Sequence, residues 1–295
     1  MTTHTPRIYR KPPSFLPAWV RALTASGKLP KEALIIPRLD TELTPQPQDQ
    51  KRLEMYRQLC AFPQNPWLPP TWPQVESSAL HIHMLTDPKF PLPSMGVVHL
   101  RNRIEQFQPI PLDAPLHYAC HLDPSQLTSL GDEFDLVTEA KLDGELVWRA
   151  TATVLSRARK LKSKEKPQKQ GIMEGPVVQP VRQTRVRVPE DLGRRYARVA
   201  GDFNPIHQHA LLAKPFGFNR AIIHGMWSLA RCVAACEPDM PQTPLVIDVA
   251  FKRPVFLPSN VQITVAKTAD AVHFTMLSED NKVTHLQGTI CQLTK

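Results

Sequence analysis

The chain has 295 residues, of which 42% are hydrophobic, so it can bury a core and is not a disordered protein. Its five cysteines are few, odd in number and scattered, which argues against a disulfide framework and favours a reducing compartment. No apolar run approaches the ~20 residues needed to span a membrane, and the amino terminus is a poor signal peptide. We therefore expect a soluble, cytoplasmic protein.

The first half of the chain contains segments typical of short strands and amphipathic helices. A docking helix is expected around residues 18–26, before the first regular unit. The following elements are then predicted in order: a strand at 33–39, helices at 50–62 and 77–87, and strands from Val97 onward.

The net charge of +9 is concentrated in one run, residues 156–169, which holds seven Lys/Arg and one Glu. The run has little apolar content, so we interpret residues 158–177 as a basic, solvated linker. It divides the chain into units at 1–157 and 178–295. A more specific alternative for this basic run is nucleic-acid binding, but no interleaved aromatic side chains support it. Attraction of an acidic ligand or carrier protein is a third use.

A faint internal repeat relates the two units. Residues 108–119 match residues 253–264 at a constant offset of 145, with proline, aliphatic and strand-like positions in the same order. Each segment follows an alternating stretch and precedes more strand-like sequence. The pattern predicts a duplicated α+β unit in which an antiparallel sheet surrounds an apolar helix.

The second unit is expected to begin with a strand at 184–189 and a helix at 190–201. A second helix is predicted from Asn204 onward, and a buried one begins at Gly225. Three or four strands follow within 245–293.

The segment GDFNPIH, residues 201–207, places a carboxylate and an imidazole on either side of a proline. Asn204 and Pro205 are typical of a helix start, which would put His207 in a first turn, where the helix dipole disfavours imidazolium. An unbroken helix would point Asp202 and His207 in different directions. The break therefore predicts a convergent acid–base pair.

Gly225 opens the predicted buried helix, so its N–H is an unpaired donor to which a ligand carbonyl can come close. With no adjacent Ser or Cys nucleophile, the set suits water addition or elimination next to a carbonyl. The plainer interpretation of Asp202 and His207 is a turn cap and a surface histidine. Three histidines, at 207, 209 and 224, could also ligate a metal, but no carboxylate or cysteine pattern completes such a site. We expect none.

The segment YARVAGDFNPIHQHALLAKPFGFNRAIIHGM, residues 196–226, closely resembles the signature of MaoC-like (R)-specific enoyl-CoA hydratases, or hydratase 2. The stretch FKRPVFLP at 251–258 is similar to the same family. The two-copy layout resembles the double hot-dog members that act as 3-hydroxyacyl-thioester dehydratases. The resemblance implies an α+β double hot-dog fold and reversible syn hydration of a trans-2-enoyl thioester to its (R)-3-hydroxyacyl form.

The resemblance also assigns roles. Asp202 and His207 would activate the water, and the Gly225 N–H would bind the thioester carbonyl. The other motif residues are expected to support the site: Asn204, which would orient the loop, Tyr196 and His224. No cofactor is implied, because the substrate is carried as a coenzyme A or acyl-carrier thioester.

The first unit departs from the family pattern. Aligning Tyr56 with Tyr196 places Phe62 at the Asp202 position and Trp67 near that of His207, so this copy is expected to be inactive. Its helix at 77–87 could leave a groove for a long acyl chain. A hot-dog thioesterase and a non-catalytic acyl-binding protein remain alternatives. We expect no nucleic-acid partner and no membrane span, and the protein could be a monomer or a homodimer.

Overall fold

The computed structural model describes residues 5–24, 36–95, 97–124, 126–156 and 179–293. The elements of the first part are β1 (Arg7–Tyr9), α1 (Phe15–Thr24), β2 (Asp40–Gln46), α2 (Gln50–Cys60), α3 (Trp72–Glu76), α4 (Ser78–Leu85), β3 (Val98–Gln106), β4 (Leu116–Leu122), β5 (Gln126–Leu127), β6 (Asp132–Leu142) and β7 (Glu145–Ser156). We call the part from β2 to β7 the first unit.

The second unit runs from β8 to β12. Its elements are β8 (Pro180–Val188), α5 (Leu192–Ala200), α6 (Ala210–Ala213), α7 (Gly225–Cys236), β9 (Leu245–Phe251), β10 (Ser259–Lys267), β11 (Ala271–Ser278) and β12 (Thr284–Gln292). Three single-turn 3₁₀ helices, Pro205–His207, Lys214–Phe216 and Glu237–Asp239, flank α6 and follow α7.

The strands in the described residues form one twelve-stranded sheet whose order repeats in reverse about its centre. The order is β1-β2-β4-β6-β7-β3-β9-β12-β11-β10-β8, with β5 paired to β6. Position by position, β2, β4, β6, β7 and β3 of the first unit correspond to β8, β10, β11, β12 and β9 of the second. The two units are therefore two copies of one topology joined edge to edge.

The junction lies between β3 and β9, which pair antiparallel. Arg103 pairs with Asp248 in this register, and their side chains form an ion pair at 2.7 Å. These two residues are themselves separated by the repeat offset of 145. The pseudo-twofold axis thus passes through this ion pair.

Each unit packs helices on one face of its half of the sheet. The alternating burial of β4 and β10 supplies an apolar face, while α7 is buried on most sides and contacts β10 and β11. Helices α2 and α5 contact each other at the centre, where the rings of Tyr56 and Tyr196 lie 6.2 Å apart and are fully buried. Burial of these apolar faces is what stabilises the pair of units.

Most elements predicted from the sequence are confirmed, including the amino-terminal helix, α2, α4, α5, α7 and the four strands in 245–293. The strand predicted at 33–39 is wrong in its described part, because 36–39 carries no strand and β2 begins at Asp40. The helix predicted from Asn204 is interrupted, since Gln208 and His209 separate a 3₁₀ turn from α6. The basic linker at 158–177 lies outside the described residues.

The repeat is confirmed by matched hydrogen bonds. The N–H of Leu112 donates to the carbonyl of Pro66 at 3.2 Å, and the N–H of Leu257 donates to that of Ala221 at 2.8 Å. Isolated β-bridges join Trp67 to Pro111 and Ile222 to Phe256. In these matched pairs, Leu112 corresponds to Leu257 and Pro111 to Phe256, which is the offset of 145 that the sequence predicted. No helix in the described ranges is long and apolar enough to cross a bilayer.

Candidate active site

Helix α5 ends at the point where the site begins. Its capping residue, Gly201, adopts a left-handed conformation with φ of 72°, and its N–H donates to the carbonyl of Ala197 at 2.7 Å. A side chain here would be strained and would overlap the ring of Phe15 from α1. Glycine therefore reverses the chain and lets Asp202 leave the helix towards the site.

A polar turn fixes the loop that follows. The carboxylate Oδ1 of Asp202 accepts the N–H of Asn204 at 3.1 Å, and the Asn204 side chain accepts the N–H of Ile206 at 3.3 Å. Pro205 opens the 3₁₀ turn that ends at His207. The expected convergence of Asp202 and His207 is found, with His207 Nε2 3.8 Å from Asp202 Oδ2.

Backbone carbonyls fix the tautomers of two stacked histidines. His207 Nδ1 lies 2.8 Å from the carbonyl of Ile222, and His224 Nε2 lies 2.8 Å from that of Asp202. A carbonyl only accepts, so both of these nitrogens carry the proton. The lone pair of His207 is consequently on Nε2, the atom that faces the carboxylate. The two rings stack with centroids 3.7 Å apart.

Burial keeps both imidazoles neutral. Desolvation lowers the pKa of His207, against the opposing effect of Asp202. The pKa of His224 falls to about 3 because the ring is buried and lies beside His207. The prediction of a neutral His207 stands, but its reason was wrong. Asn204 and Pro205 begin a turn that contains His207, as expected, but this 3₁₀ helix is only three residues long, so desolvation replaces the helix dipole as the cause.

The remaining predicted residues surround this pair. Gly225 is the first residue of α7, so its N–H has no acceptor within the helix. A Cβ on Gly225 would lie 3.2 Å from the Phe251 ring, so a larger residue here would have to displace that ring of β9 slightly. Tyr196 is fully buried with its ring 5.0 Å from that of His224, and its hydroxyl has no hydrogen-bond partner among the described residues.

Asp202, His207 and His224 lie within 4.8 Å of one another, close enough to suggest a metal site. The tautomers argue against one. His224 Nε2, the nitrogen near the carboxylate, is protonated, because it donates to the Asp202 carbonyl. Only His207 Nε2 and the carboxylate then offer lone pairs at the same place, fewer than a zinc site uses. His209, the third histidine considered, instead caps α6 through Leu211.

Three side chains that sequence reasoning missed hold the catalytic loop from outside the second unit. They donate to the last carbonyls of the α5 turn: Arg52 Nε to Val199 at 2.6 Å, Ser78 Oγ to Ala200 at 2.7 Å, and Trp19 Nε1 to Gly201 at 3.1 Å. The single proton of Ser78 is shared with the carbonyl of Val75, 2.6 Å away. The carbonyls at the end of α5 have no partner within the helix. No local pattern marks such donors, because each lies more than 100 residues away from its acceptor.

The first unit lacks this loop. Matching Pro66 with Ala221 and Trp72 with Trp227, both tryptophans being buried, leaves residues 62–65 where the second unit has 202–220. Phe62 follows the left-handed cap of α2, as Asp202 follows that of α5. The same alignment sets Pro69 and Pro70 at the positions of His224 and Gly225. It also refines the sequence alignment, since Trp67 corresponds to Ile222 and no residue corresponds to His207.

Comparisons with known proteins agree with this arrangement. Residues 172–289 match the family described as "MaoC like domain". The 3-hydroxyacyl-thioester dehydratase X of Mycobacterium tuberculosis is 29% identical over 287 residues, covering 94% of this chain and 98% of that protein. The crystal structure of HtdX from M. tuberculosis has a TM-score of 0.74 at 28% identity, covering 85% of this chain and 99% of that chain.

A MaoC-like dehydratase from Phytophthora capsici has a TM-score of 0.68 at 18% identity, covering 88% of this chain and 97% of that chain. At that identity the likeness shows the fold alone. Together with the mirrored strand order, these structures confirm the α+β double hot-dog predicted from the sequence.

Proposed function

Since residues 172–289 belong to the MaoC-like family, we propose that this protein interconverts a trans-2-enoyl thioester and a (R)-3-hydroxyacyl thioester. The relative from M. tuberculosis is named a 3-hydroxyacyl-thioester dehydratase. The observation that carries the proposal is the orientation of His207, whose unprotonated Nε2 faces the carboxylate of Asp202.

The gap between these two atoms suits one water molecule. At 3.8 Å, Nε2 and Oδ2 are too far apart for a hydrogen bond, yet one oxygen can lie within hydrogen-bond distance of both. Both groups can accept a proton from it. In hydration, the water oxygen forms a bond to C3 of the substrate while its proton passes to the Asp202–His207 pair.

The electron pair of the C2=C3 bond then moves towards C2 and the thioester carbonyl, giving an enolate-like oxygen. The N–H of Gly225 at the start of α7 is the proposed donor to that oxygen. A proton returned from the pair to C2 completes the addition, so the atoms balance with no cofactor. Dehydration is the same sequence in reverse.

The first unit is proposed to support this chemistry without performing any. Its Arg52 and Ser78 hold the carbonyls that precede Asp202, and Phe62 and Pro70 supply neither a base nor an N–H donor. The carrier is proposed to be coenzyme A or an acyl carrier protein.

The direct test is incubation with trans-2-enoyl-coenzyme A substrates of rising chain length, followed by chiral analysis of the product. We expect loss of the enoyl absorbance and formation of the (R)-3-hydroxyacyl thioester. The same substrates on an acyl carrier protein identify the preferred carrier. Release of free thiol without hydration would contradict the proposal and favour a thioesterase.

A further inference from the structure

The exposed surface of the catalytic loop carries uncompensated positive charge. From residue 192 to residue 220 the chain has five Lys/Arg and one carboxylate, that of Asp202. Four of these cations are exposed: Arg195, Arg198, Lys214 and Arg220. None of the four forms an ion pair with another described residue. We call the exposed part of residues 195–220 the loop surface.

The charge lies on the chain segments that position the acid–base pair. Arg198 is in the last turn of α5, directly before the catalytic loop. The guanidinium of Arg220 lies 5.2 Å from the centroid of the Phe256 ring, and Phe256 forms a β-bridge with Ile222. The Ile222 carbonyl is the acceptor that fixes His207. The cations therefore flank the acid–base pair on both sides along the chain.

Three large apolar side chains are exposed between the cations. Phe203, the residue after Asp202, is 42% exposed. Leu211 and Leu212 of α6 are 64% and 50% exposed. The Asp202 side chain is itself 44% exposed, so the reactive carboxylate opens onto the same surface. Exposed apolar side chains that are grouped in this way commonly mark an interaction site.

An acidic protein fits this combination better than three other occupants do. The phosphates of a nucleotide are bound by cations and N–H donors and leave the apolar side chains unused, whereas protein interfaces bury apolar side chains within a polar rim. A second copy of the chain would place the same cations opposite one another, because a twofold interface joins identical surfaces. An anionic lipid surface is bound by a helix with a continuous apolar face, and the four residues of α6 are too few to form one.

We propose that the loop surface docks an acidic acyl carrier protein, whose bound thioester then reaches Asp202 and His207. The carried acyl thioester rests on the proposed function, whereas the protein partner rests on the charge and on the exposed apolar side chains. Of the two carriers, this selects the protein. The uncompensated cations attract an acidic partner and speed its encounter at low ionic strength. Phe203, Leu211 and Leu212 then supply the apolar contacts that hold it.

The test compares one acyl group, trans-2-decenoyl, on three carriers: an acyl carrier protein, coenzyme A, and pantetheine, which has no phosphate. Lys214→Glu should raise the KM for the carrier-protein substrate at least ~fivefold and leave kcat/KM for the uncharged pantetheine substrate unchanged. Lys267→Glu, at the exposed far end of β10, is the matched control and should change neither. Leu211→Ser should act like Lys214→Glu, with Leu130→Ser, an exposed leucine of the first unit, as its control.

Binding without turnover is measured by calorimetry with the carrier protein loaded with a saturated decanoyl chain, which cannot be hydrated. Its dissociation constant should rise in the Lys214→Glu and Leu211→Ser variants and stay unchanged in the two controls. Hydration that fails while this binding pattern holds would count against the proposed function alone.

An unchanged KM for the carrier-protein substrate in Lys214→Glu would overturn the docking proposal. An equal loss with the coenzyme A substrate would also overturn it, because the cations would then bind nucleotide phosphates. Sedimentation of the wild type as a dimer that Leu211→Ser dissociates would assign the loop surface to a second copy instead. Binding to phosphatidylglycerol vesicles without binding to the carrier protein would assign it to lipid.

Discussion

Helices α2 and α5 end in the same way and lead to different chemistry. Both are capped by a left-handed residue, Ala61 with φ of 55° and Gly201 with φ of 72°. After Gly201 the chain forms the loop that carries Asp202 and His207. After Ala61 the chain reaches Pro66 within five residues, so no residue corresponds to His207. Pro70, at the Gly225 position, has no N–H to donate.

The contacts between the units show what the inactive copy still does. Its Arg52 and Ser78 cap the end of α5. In return, Trp227 Nε1 and Arg231 donate to the carbonyls of Leu59 and Cys60 at the end of α2, at 3.0 and 3.1 Å. The capping is reciprocal although the catalytic residues are not. The comparison teaches that duplication conserved the mutual support of the two helix ends while only one loop kept the reactive groups.

The largest asymmetry is expected in catalysis. Asp202→Asn and His207→Gln should each lower turnover by at least ~100-fold, because each removes a proton acceptor from the shared water. The double variant should be little worse than the slower single one, since the two act as a unit. Steady-state hydration kinetics measure this. Phe62→Leu, at the Asp202 position of the first unit, is the control. Near wild-type rates in both single variants would remove the site from Asp202 and His207.

Acid stability is expected to sharpen the comparison next. Both units bury neutral histidines: the pKa of His81 falls to about 3 and that of His99 to about 4, while His224 falls to about 3, all mainly through desolvation. Below about pH 6.5 the unfolded chain takes up protons that the folded one refuses. The contribution of these histidines to the unfolding free energy should therefore be fully present above pH 6.5. It should decrease as the pH drops towards 4.

Each such histidine contributes a slope of about 1.4 kcal/mol per pH unit in that window. Urea unfolding of the His81→Gln variant between pH 4 and 6.5 should show a slope smaller by that amount. Between pH 7 and 8 the variant and the wild type should differ by a constant. Parallel curves across the acid window would mean that His81 titrates alike in both states.

The two left-handed caps predict opposite effects from exchanging their residues. Gly201→Ala should destabilise by at least about 1–2 kcal/mol, from the left-handed backbone and the overlap with Phe15. Ala61→Gly, at an exposed cap, should stabilise by up to about 1 kcal/mol. Chemical denaturation measures both. A change in the unfolding free energy of the same sign in both variants would show that the two turns are not equivalent.

The smallest effect is expected where a tryptophan supports each loop. Trp19→Phe removes the donor to the Gly201 carbonyl, a hydrogen bond worth about 1 kcal/mol, and should lower kcat by threefold to tenfold. Trp148→Phe removes the tryptophan donor to the carbonyl of Pro70, which lies at the Gly225 position of the first unit. It should cost similar stability with unchanged kcat. A matching loss of kcat in both variants would assign the effect of Trp19 to stability alone.

Local sequence patterns predicted much of the second unit and of the site. The helix predicted at 190–201 is found as α5, and the proline after Asn204 predicted the break that brings Asp202 and His207 together. The neutral state of His207 was predicted for the wrong reason, because burial is a tertiary property. The groove for a long acyl chain that the sequence analysis places along the helix at 77–87 remains a prediction. Ala79 in that helix is 2% exposed, so a large residue there would overpack the core.

The sequence by itself determined the repeat, the motif and the identity of the reactive groups, since these depend on residue types and on spacing along the chain. Only the tertiary structure decided how they are held. The tautomer of His207 depends on the carbonyl of Ile222, and the loop depends on Trp19, Arg52 and Ser78, which lie far away in the chain. Hydrogen bonds between segments far apart in the chain produce no periodic pattern in the sequence, so only the folded structure shows them.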